Sequence, residues 1–363
     1  MAELRIAGQN TTLPIRGRNV LDTLLRAGIA APHGCRSGCC GSCKARLVAG
    51  DVELDPYDEA ALSCDERANG LILTCRARAR GDLTIGWLTA DLVALPVRSL
   101  AARVLSIERV AAMITRMRLE PEGEPLRFAA GQWAELRFGA MAARPFSMAN
   151  PPGDPVLEFH IRHRPGGLAS EYVAKILHTG EEVRLRGPFG TAHLRVRPER
   201  PVLAAAGGTG AAPIGSIVAD ALARGWQAPI RLYVGARSEI ELYALPALTE
   251  LARRYPQLKV EAVLSEADGA GPYRTGFLHE AIAADRAALE GCMVYAAGPP
   301  PMVAAVQDLA VQLGAAPRDV HSDPFVPATA EPARTSDGVR SEGLLTRLLG
   351  SLVRRRGTAA AGS

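Results

Sequence analysis

"HGCRSGCCGSC", residues 33–43, holds four of the seven cysteines in a chain of 363 residues. Cys35, Cys40 and Cys43 are spaced C-x4-C-x2-C, and Cys75 follows in "LILTCRA". A diamond of two irons and two sulfides needs four thiolates. Three can come from one tight loop, and the fourth must arrive from a separate segment; this spacing is the plant-type [2Fe–2S] pattern. Gly34, Gly38 and Gly41 suit such a loop, whose backbone must turn sharply and aim N–H groups at the sulfur atoms. Zinc competes for the same thiols, but its sites usually pair two short Cys-x2–4-Cys knuckles, and the second knuckle is missing. Cys39, inside the four-residue gap, is not expected to be a ligand, and Cys64 and Cys292 read as isolated free thiols.

The surrounding composition agrees with redox chemistry in a reducing compartment. The N-terminal "MAELRIAGQN" lacks a basic-then-apolar leader and the chain holds no run of eighteen apolar residues, so a cytoplasmic location is expected. There clustered cysteines more often bind metal or carry electrons than form disulfides. The net charge of +4 is small for this length and does not suggest a nucleic-acid partner. Nearly half the residues (48%) are apolar, enough for two or three domain cores.

Outward from the cysteines, "ELRIAG…TTLPIRG" reads as a hairpin, "NVLDTLLRAG" as a helix ending at Gly28, and "CKARLVAGDVEL" as one strand. Together they suggest a small β-grasp domain. Asp51 to Glu66 carries seven acidic residues and no basic one, either a solvated face or a docking patch for a basic partner. After a linker near residues 94–104 the texture changes to "RVLSIERV", "ITRMRLEP", "GQWAELRF", "VLEFHIRH" and "EEVRLRGPFG", short strands between Pro/Gly turns. That pattern predicts an all-β barrel.

Past Arg200 the texture changes again. "PVLAAAGGTGAAPIGSIVADALARG", "IRLYVGARS", "KVEAVLSE" and "CMVYAAGPPPMVAAVQDLAVQLG" alternate apolar strands with helices, the signature of a parallel α/β sheet. The Gly-rich turn at 207–210 opens a helix and is placed to receive a pyrophosphate, with "AAGPPPM" sharing the crevice. In the barrel, "RPFS" (144–147) and "RPGGLASEY" (164–172) supply a cation, an aromatic ring, hydroxyls and a strand-to-helix turn. A flavin dinucleotide needs such parts.

These segments resemble the ferredoxin–NADP reductase superfamily, and more narrowly the three-domain reductases that serve aromatic ring-hydroxylating dioxygenases. "ARPFSMA", "EFHIRHRPGGLASEYV", "GPFGTAHLR", "GGTGAAPIGSIV", "LYVGARSEIELY" and "HSDPFVP" are similar to that family's segments, in order. The resemblance implies a ferredoxin domain over 1–93, an FAD-binding β-barrel over 98–197 and a Rossmann-like NAD(P)-binding α/β domain over 199–327, followed by a tail over 328–363. It implies electron flow from NADH (NADPH being possible) through FAD and the [2Fe–2S] cluster to an oxygenase or a Rieske-type ferredoxin. A diiron monooxygenase or a deoxysugar dehydrase is the alternative acceptor, and a redox-sensing adaptor without turnover the alternative role.

Residue by residue, it assigns Arg144 to the FAD phosphates, Phe146 to stacking on the flavin, and Ser147 to the catalytic hydrogen bond near flavin N5. Ile161 and Arg162 would line the FAD site, and Gly167, Ala169 and Ser170 would hold its pyrophosphate. Gly207, Gly208, Thr209 and Gly210 fall at the nicotinamide-cofactor diphosphate, Gly298 and Pro299 beside the nicotinamide, and Phe325 over the flavin. Glu241 lies where it would repel a 2′-phosphate, whereas Arg237 and Ser238 could bind one.

Three departures stand out. Phe146 replaces the family's usual tyrosine, Ala297 replaces a cysteine before Gly298-Pro299, and the chain runs on to residue 363. In that tail, Leu344, Leu345, Leu348, Leu349, Leu352 and Val353 form one helical stripe beside Arg347, Arg354, Arg355 and Arg356. A basic amphipathic helix of this kind, over 344–356, can lie on an anionic membrane, dock on a partner or fold back on its own chain.

Overall fold

A computed structural model describes residues 2–29, 31–59, 61–88, 95–267, 269 and 271–326. The expected tail helix over 344–356 lies outside the described residues.

The first part is a mixed sheet with one helix packed on it. Its strands are β1 (Glu3–Ile6), β2 (Thr12–Pro14), β3 (Lys44–Ala49), β5 (Leu71–Leu73) and β7 (Leu83–Gly86), in the order β2-β1-β7-β3-β5. The expected hairpin is β1 with β2, antiparallel, while β1 and β7 run parallel. Helix α1 (Val20–Arg26) begins where the Asn19 side chain accepts from the Asp22 N–H, and it buries Leu21 and Leu24 against the sheet. The single strand expected from "CKARLVAGDVEL" is a correction: it is two, β3 and β4 (Val52–Leu54), broken at Gly50, whose added Cβ would lie 2.3 Å from the Asp82 carbonyl oxygen. β4 pairs instead with β6 (Ala77–Ala79), and a short helix α2 (Cys64–Ala68) is closed by a Ser63/Glu66 capping box.

The second part has six strands: β8 (Arg98–Ala111), β9 (Ile114–Pro121), β10 (Trp133–Phe138), β11 (Arg144–Ser147), β12 (Leu157–Arg162) and β13 (Glu182–Phe189). Their order is β11-β10-β13-β8-β9-β12, and the ends meet through a bridge between Met148 and Phe159, which closes the sheet into a barrel. Alternate residues point inward, so Phe159 and Ile161 enter the core while His160 and Arg162 remain half-buried outside it. Helix α3 (Leu168–Lys175) follows β12.

The third part is a wholly parallel sheet in the order β17-β16-β15-β14-β18-β19: β14 (Val202–Gly207), β15 (Ile230–Ala236), β16 (Leu258–Leu264), β17 (Arg274–Thr275), β18 (Met293–Gly298) and β19 (Val320–Pro324). Helices α4 (Ala211–Ala223), α5 (Leu245–Arg254), α6 (Leu278–Asp285) and α7 (Pro300–Gln312) lie between its strands in the chain. β14 and β18 are buried at every residue, as strands covered on both faces must be. The order reverses between β14 and β18, so the crevice that receives a ligand opens at their carboxyl ends.

Candidate functional site

Four sulfurs gather in the loop between α1 and β3. They form two pairs. The Cys35 N–H donates to Cys40 Sγ at 3.4 Å, and Cys43 Sγ lies 3.2 Å from Cys75 Sγ, which β5 delivers at its end. The N–H groups of Ser37 and Cys39 both point at Cys35 Sγ, each at 3.4 Å. The hydrogen bond from the Cys40 thiol holds Cys35 down to about 4, favouring its thiolate, while the same bond and burial push Cys40 up. Gly38 and Gly41 take positive φ as the loop demands, whereas Gly34 is needed for space, its added Cβ falling 3.1 Å from Cys40 Sγ.

The donor set fits an iron–sulfur diamond better than a lone ion. Among the described residues no three His, Cys, Asp or Glu side chains converge as a single metal ion would require. Two pairs of thiols at a loop lined with N–H groups match two irons, each taking two thiolates. The Arg76 Nε, beside Cys75, is buried without a protein partner and packs against Gly38, so the loop also keeps a donor in reserve. Cys39 is exposed and stands outside both pairs, Cys64 is exposed, and Cys292 is buried far along the chain. Four of the seven acids of the 51–66 stretch are ion-paired inside the same part: Asp51 and Glu53 with Arg80, Asp55 with Arg78, and Glu66 with Lys44.

The second site lies where the barrel meets the parallel sheet. Arg144 begins β11 half-exposed, and Phe146 packs on the barrel core with its ring edge-on to Phe138 at 6.4 Å. Ser147 Oγ donates to Asp323 Oδ2 of β19 at 3.4 Å. Burial pushes the Asp323 carboxyl up to about 6, with the Ser147 hydroxyl opposing it. Asp323 is not singled out by the sequence patterns, although it stands in "HSDPF", two positions before Phe325, and the fold brings it to Ser147. Phe325 donates its N–H to the Gly298 carbonyl at 2.8 Å, which ties the segment after β19 to the same crevice.

Two assigned residues sit differently from their expected roles. Ile161 is fully buried in the barrel core, so its side chain does not line an open dinucleotide site. The Ser170 hydroxyl accepts from the Arg164 N–H (3.1 Å) and donates to the Gly167 carbonyl (3.0 Å), so it closes its own loop. What Gly167 and Ala169 offer an anion is the open first turn of α3.

The nicotinamide-side turns are pressed together. An added Cβ on Gly210 would lie 2.0 Å from the Ala297 carbonyl oxygen, and one on Gly298 (φ +138) would lie 2.6 Å from that of Gly207. Gly207, Gly208 and Thr209 lead from β14 through a short 3-10 turn into α4, while Pro299 caps α7 at the neighbouring strand end. Arg162 comes within reach of this turn and pairs with Glu241 at 2.9 Å, and Glu241 also pairs with Arg237. The hydrogen bond from Arg237 holds the Glu241 carboxyl below the usual carboxylate range. His160 Nδ1 meets the Tyr243 hydroxyl at 2.9 Å, a second tie between barrel and sheet.

Family models match all three parts: a 2Fe-2S iron–sulfur cluster binding domain over residues 4–80, an oxidoreductase FAD-binding domain over 102–194 and an oxidoreductase NAD-binding domain over 205–308. The chain is 36% identical over 327 residues to the ferredoxin–NAD(P)(+) reductase component of the naphthalene 1,2-dioxygenase system of Pseudomonas putida, covering 90% of this chain and 99% of that one. The chain belongs to the iron–sulfur flavoprotein ferredoxin–NAD(P)+ reductases. As a member of this family it binds FAD, a nicotinamide cofactor and a [2Fe–2S] cluster, and carries electrons from NAD(P)H. It is also 38% identical to the reductase subunit of an aromatic O-demethylase of Amycolatopsis, over 86% of this chain and 95% of the other. Among solved structures, a cytochrome P450 reductase of Amycolatopsis superposes with a TM-score of 0.76 at 36% identity, over 91% of this chain and all of that one. The ferredoxin reductase of carbazole 1,9a-dioxygenase gives 0.67 at 27% identity, over 90% and 98%. No helix among the described residues is long and apolar enough to cross a membrane.

Proposed function

We propose that this chain is the cytoplasmic reductase component of an aromatic ring-hydroxylating dioxygenase system, using NADH and delivering electrons to the oxygenase or to a Rieske-type ferredoxin. Its likeness to the reductase components of naphthalene dioxygenase systems, over 90% and 86% of this chain, carries this reading. The bound groups supply the redox chemistry, a two-electron hydride acceptor followed by a one-electron carrier. The protein supplies binding and position. Cys35 and Cys40 would hold one iron, and Cys43 and Cys75 the other. Arg144 and the first turn of α3 would hold the FAD diphosphate, Phe146 would lie against the flavin ring, and Phe325 would shield it.

Ser147 and Asp323 would face the reactive edge of the flavin, where their hydrogen bond orients the hydroxyl. The turn 207–210 and the start of α4 would take the nicotinamide-cofactor diphosphate, with Gly298 and Pro299 leaving room for the nicotinamide. Glu241 engages Arg237, the cation that would otherwise attract a 2′-phosphate, and this supports the preference for NADH. The units implied are the 1–93, 98–197 and 199–327 segments, and the stretch 344–356 is assigned to contact with the partner or with an anionic membrane surface.

The test is reconstitution. The holoprotein and NADH are mixed with a purified ring-hydroxylating dioxygenase, a diiron monooxygenase or a cytochrome P450, and hydroxylated product is measured. Product with the dioxygenase alone is the expected result. Product only with a monooxygenase or P450 would move the chain to the second reading, which the likeness to the O-demethylase and P450 reductases favours. Deleting residues 328–363 should preserve ferricyanide reduction and lower either coupled turnover or liposome binding. If neither falls, the tail has no such role.

A further inference from the structure

The iron–sulfur part and the barrel are joined by a junction of six side chains. His33, directly before the cysteine loop, is 1% exposed. Its ring stands edge-on to Trp133 and Phe189, with centroids 5.2 and 4.9 Å away. Those two rings belong to β10 and β13 of the barrel, yet they pack in the core of the iron–sulfur part. His33 Nδ1 lies 2.8 Å from the Ala31 carbonyl and Nε2 lies 3.1 Å from Arg36 Nη2. Nδ1 therefore carries the proton and donates to Ala31, and Nε2 accepts from Arg36.

Arg36 is the one non-glycine residue with positive φ (57°) among the described residues. A non-glycine backbone in this region costs on the order of 1–3 kcal/mol and persists only where the surroundings hold it. What holds it is on the barrel: Arg36 Nη2 pairs with Glu135 of β10 at 2.9 Å. Glu135 also faces Arg186 of β13, at 3.7 Å, and Arg186 reaches back to donate to the Leu25 carbonyl of α1 at 3.1 Å while lying over the Phe189 ring. One barrel carboxylate thus engages an arginine from the cysteine loop and one that holds the helix beneath that loop. The same strand leads to the flavin side, since Trp133 is the register partner of both Ser147 and Phe189.

We infer that the Arg36–Glu135–Arg186 clasp and the seat of His33 between Trp133 and Phe189 are positioning elements that set the rate of electron passage from flavin to cluster. In that step one electron leaves the reduced flavin and one ferric iron of the cluster becomes ferrous. No bond in the clasp forms or breaks. The inference rests on the flavin-to-cluster route of the family; the clasp is a property of these residues.

Two variants of the holoprotein test it, under anaerobic conditions and with rapid mixing against NADH. Glu135→Gln keeps the shape of the side chain and removes its charge. Arg36→Gly relaxes the left-handed backbone and removes the guanidinium. In both, ferricyanide turnover, the rate of flavin bleaching and the two midpoint potentials should match wild type. Appearance of the reduced-cluster electron paramagnetic resonance signal should slow by about tenfold or more, within the roughly hundredfold loss that an ångström of misplacement can bring. A role confined to backbone strain would leave Arg36→Gly as fast as wild type, which overturns the inference. Loss of cluster absorbance or slowed flavin bleaching in both variants overturns it too, because the residues would then serve assembly or the flavin itself. If wild-type protein fails to reduce its own cluster, the electron route falls; if it succeeds and the variants match it, only the clasp falls.

Discussion

The cysteine loop and the nicotinamide crevice lie on one chain and are built from opposite parts of the peptide. In the loop the working atoms are side-chain sulfurs, with two pairs formed by Cys35/Cys40 and Cys43/Cys75. In the proposed crevice they would be backbone groups, and the two turns come together only where side chains are missing, as at Gly210 and Gly298. A site made of side chains fails when one atom changes identity. A site made of backbone fails when one atom is added.

The largest effects test that contrast directly. Cys43→Ser or Cys75→Ser should abolish the visible iron–sulfur absorbance and all cluster-dependent electron delivery, while Cys39→Ser, exposed and outside both pairs, retains the full spectrum. Loss of the cluster from Cys39→Ser would break the pairing described here. On the crevice side, Gly298→Ala adds a single methyl group 2.6 Å from the Gly207 carbonyl. It should lower kcat/KM for NADH by roughly a hundredfold, a scale set by displacement of the reacting groups. Bound FAD and cluster should be unchanged by their spectra, and a variant with normal NADH kinetics would show that the two turns can separate freely.

Asp323 gives a smaller effect with a definite sign. Its carboxyl stands at about 6 in the fold against 3.8 ordinarily, so the folded chain holds this proton more tightly than the unfolded one. The stabilising contribution is complete below 3.8 and is lost as pH rises through about 6, beyond which an ionised carboxylate sits in a desolvated place. Asp323→Asn should therefore be more stable than wild type at pH 8 by about 1–3 kcal/mol, with the gap closing toward pH 4. Thermal unfolding across that range checks it, and a gap that does not change with pH would remove the titration of Asp323 as its cause.

The smallest effect concerns cofactor choice. Glu241→Gln leaves Arg237 without its carboxylate, and the ratio of kcat/KM for NADPH over NADH should rise about tenfold, or about 1.4 kcal/mol. An unchanged ratio would mean that the 2′ position lies elsewhere.

Legibility followed the same divide. The cysteine motif could be picked out because three of its members stand within nine residues and their chemistry belongs to the residue type, while the fold brings Cys75 to Cys43. The barrel strands and the alternating strands and helices of the third part could be read from periodicity, although "CKARLVAGDVEL" was split by the close approach of Asp82 to Gly50, a contact from a distant segment. Ile161 was assigned to the flavin site by resemblance, but its place beside Phe159 in the two-residue alternation of β12 puts it in the core. The resemblance places Ser170 at the FAD pyrophosphate, yet its hydroxyl is consumed by its own loop.

By itself, then, the sequence determined the C-x4-C-x2-C motif, the order of three folding units and the Gly-rich turns, because each depends on residues close together or on a repeating period. Only the tertiary structure decided that Asp323 meets Ser147, that Glu241 joins Arg162 to Arg237, and that Arg36 reaches Glu135 across the junction. Except for Arg237 and Glu241, four residues apart, these partners lie far apart along the chain or in different units, and each is a common polar or charged residue whose type carries no signal until folding fixes what stands opposite it.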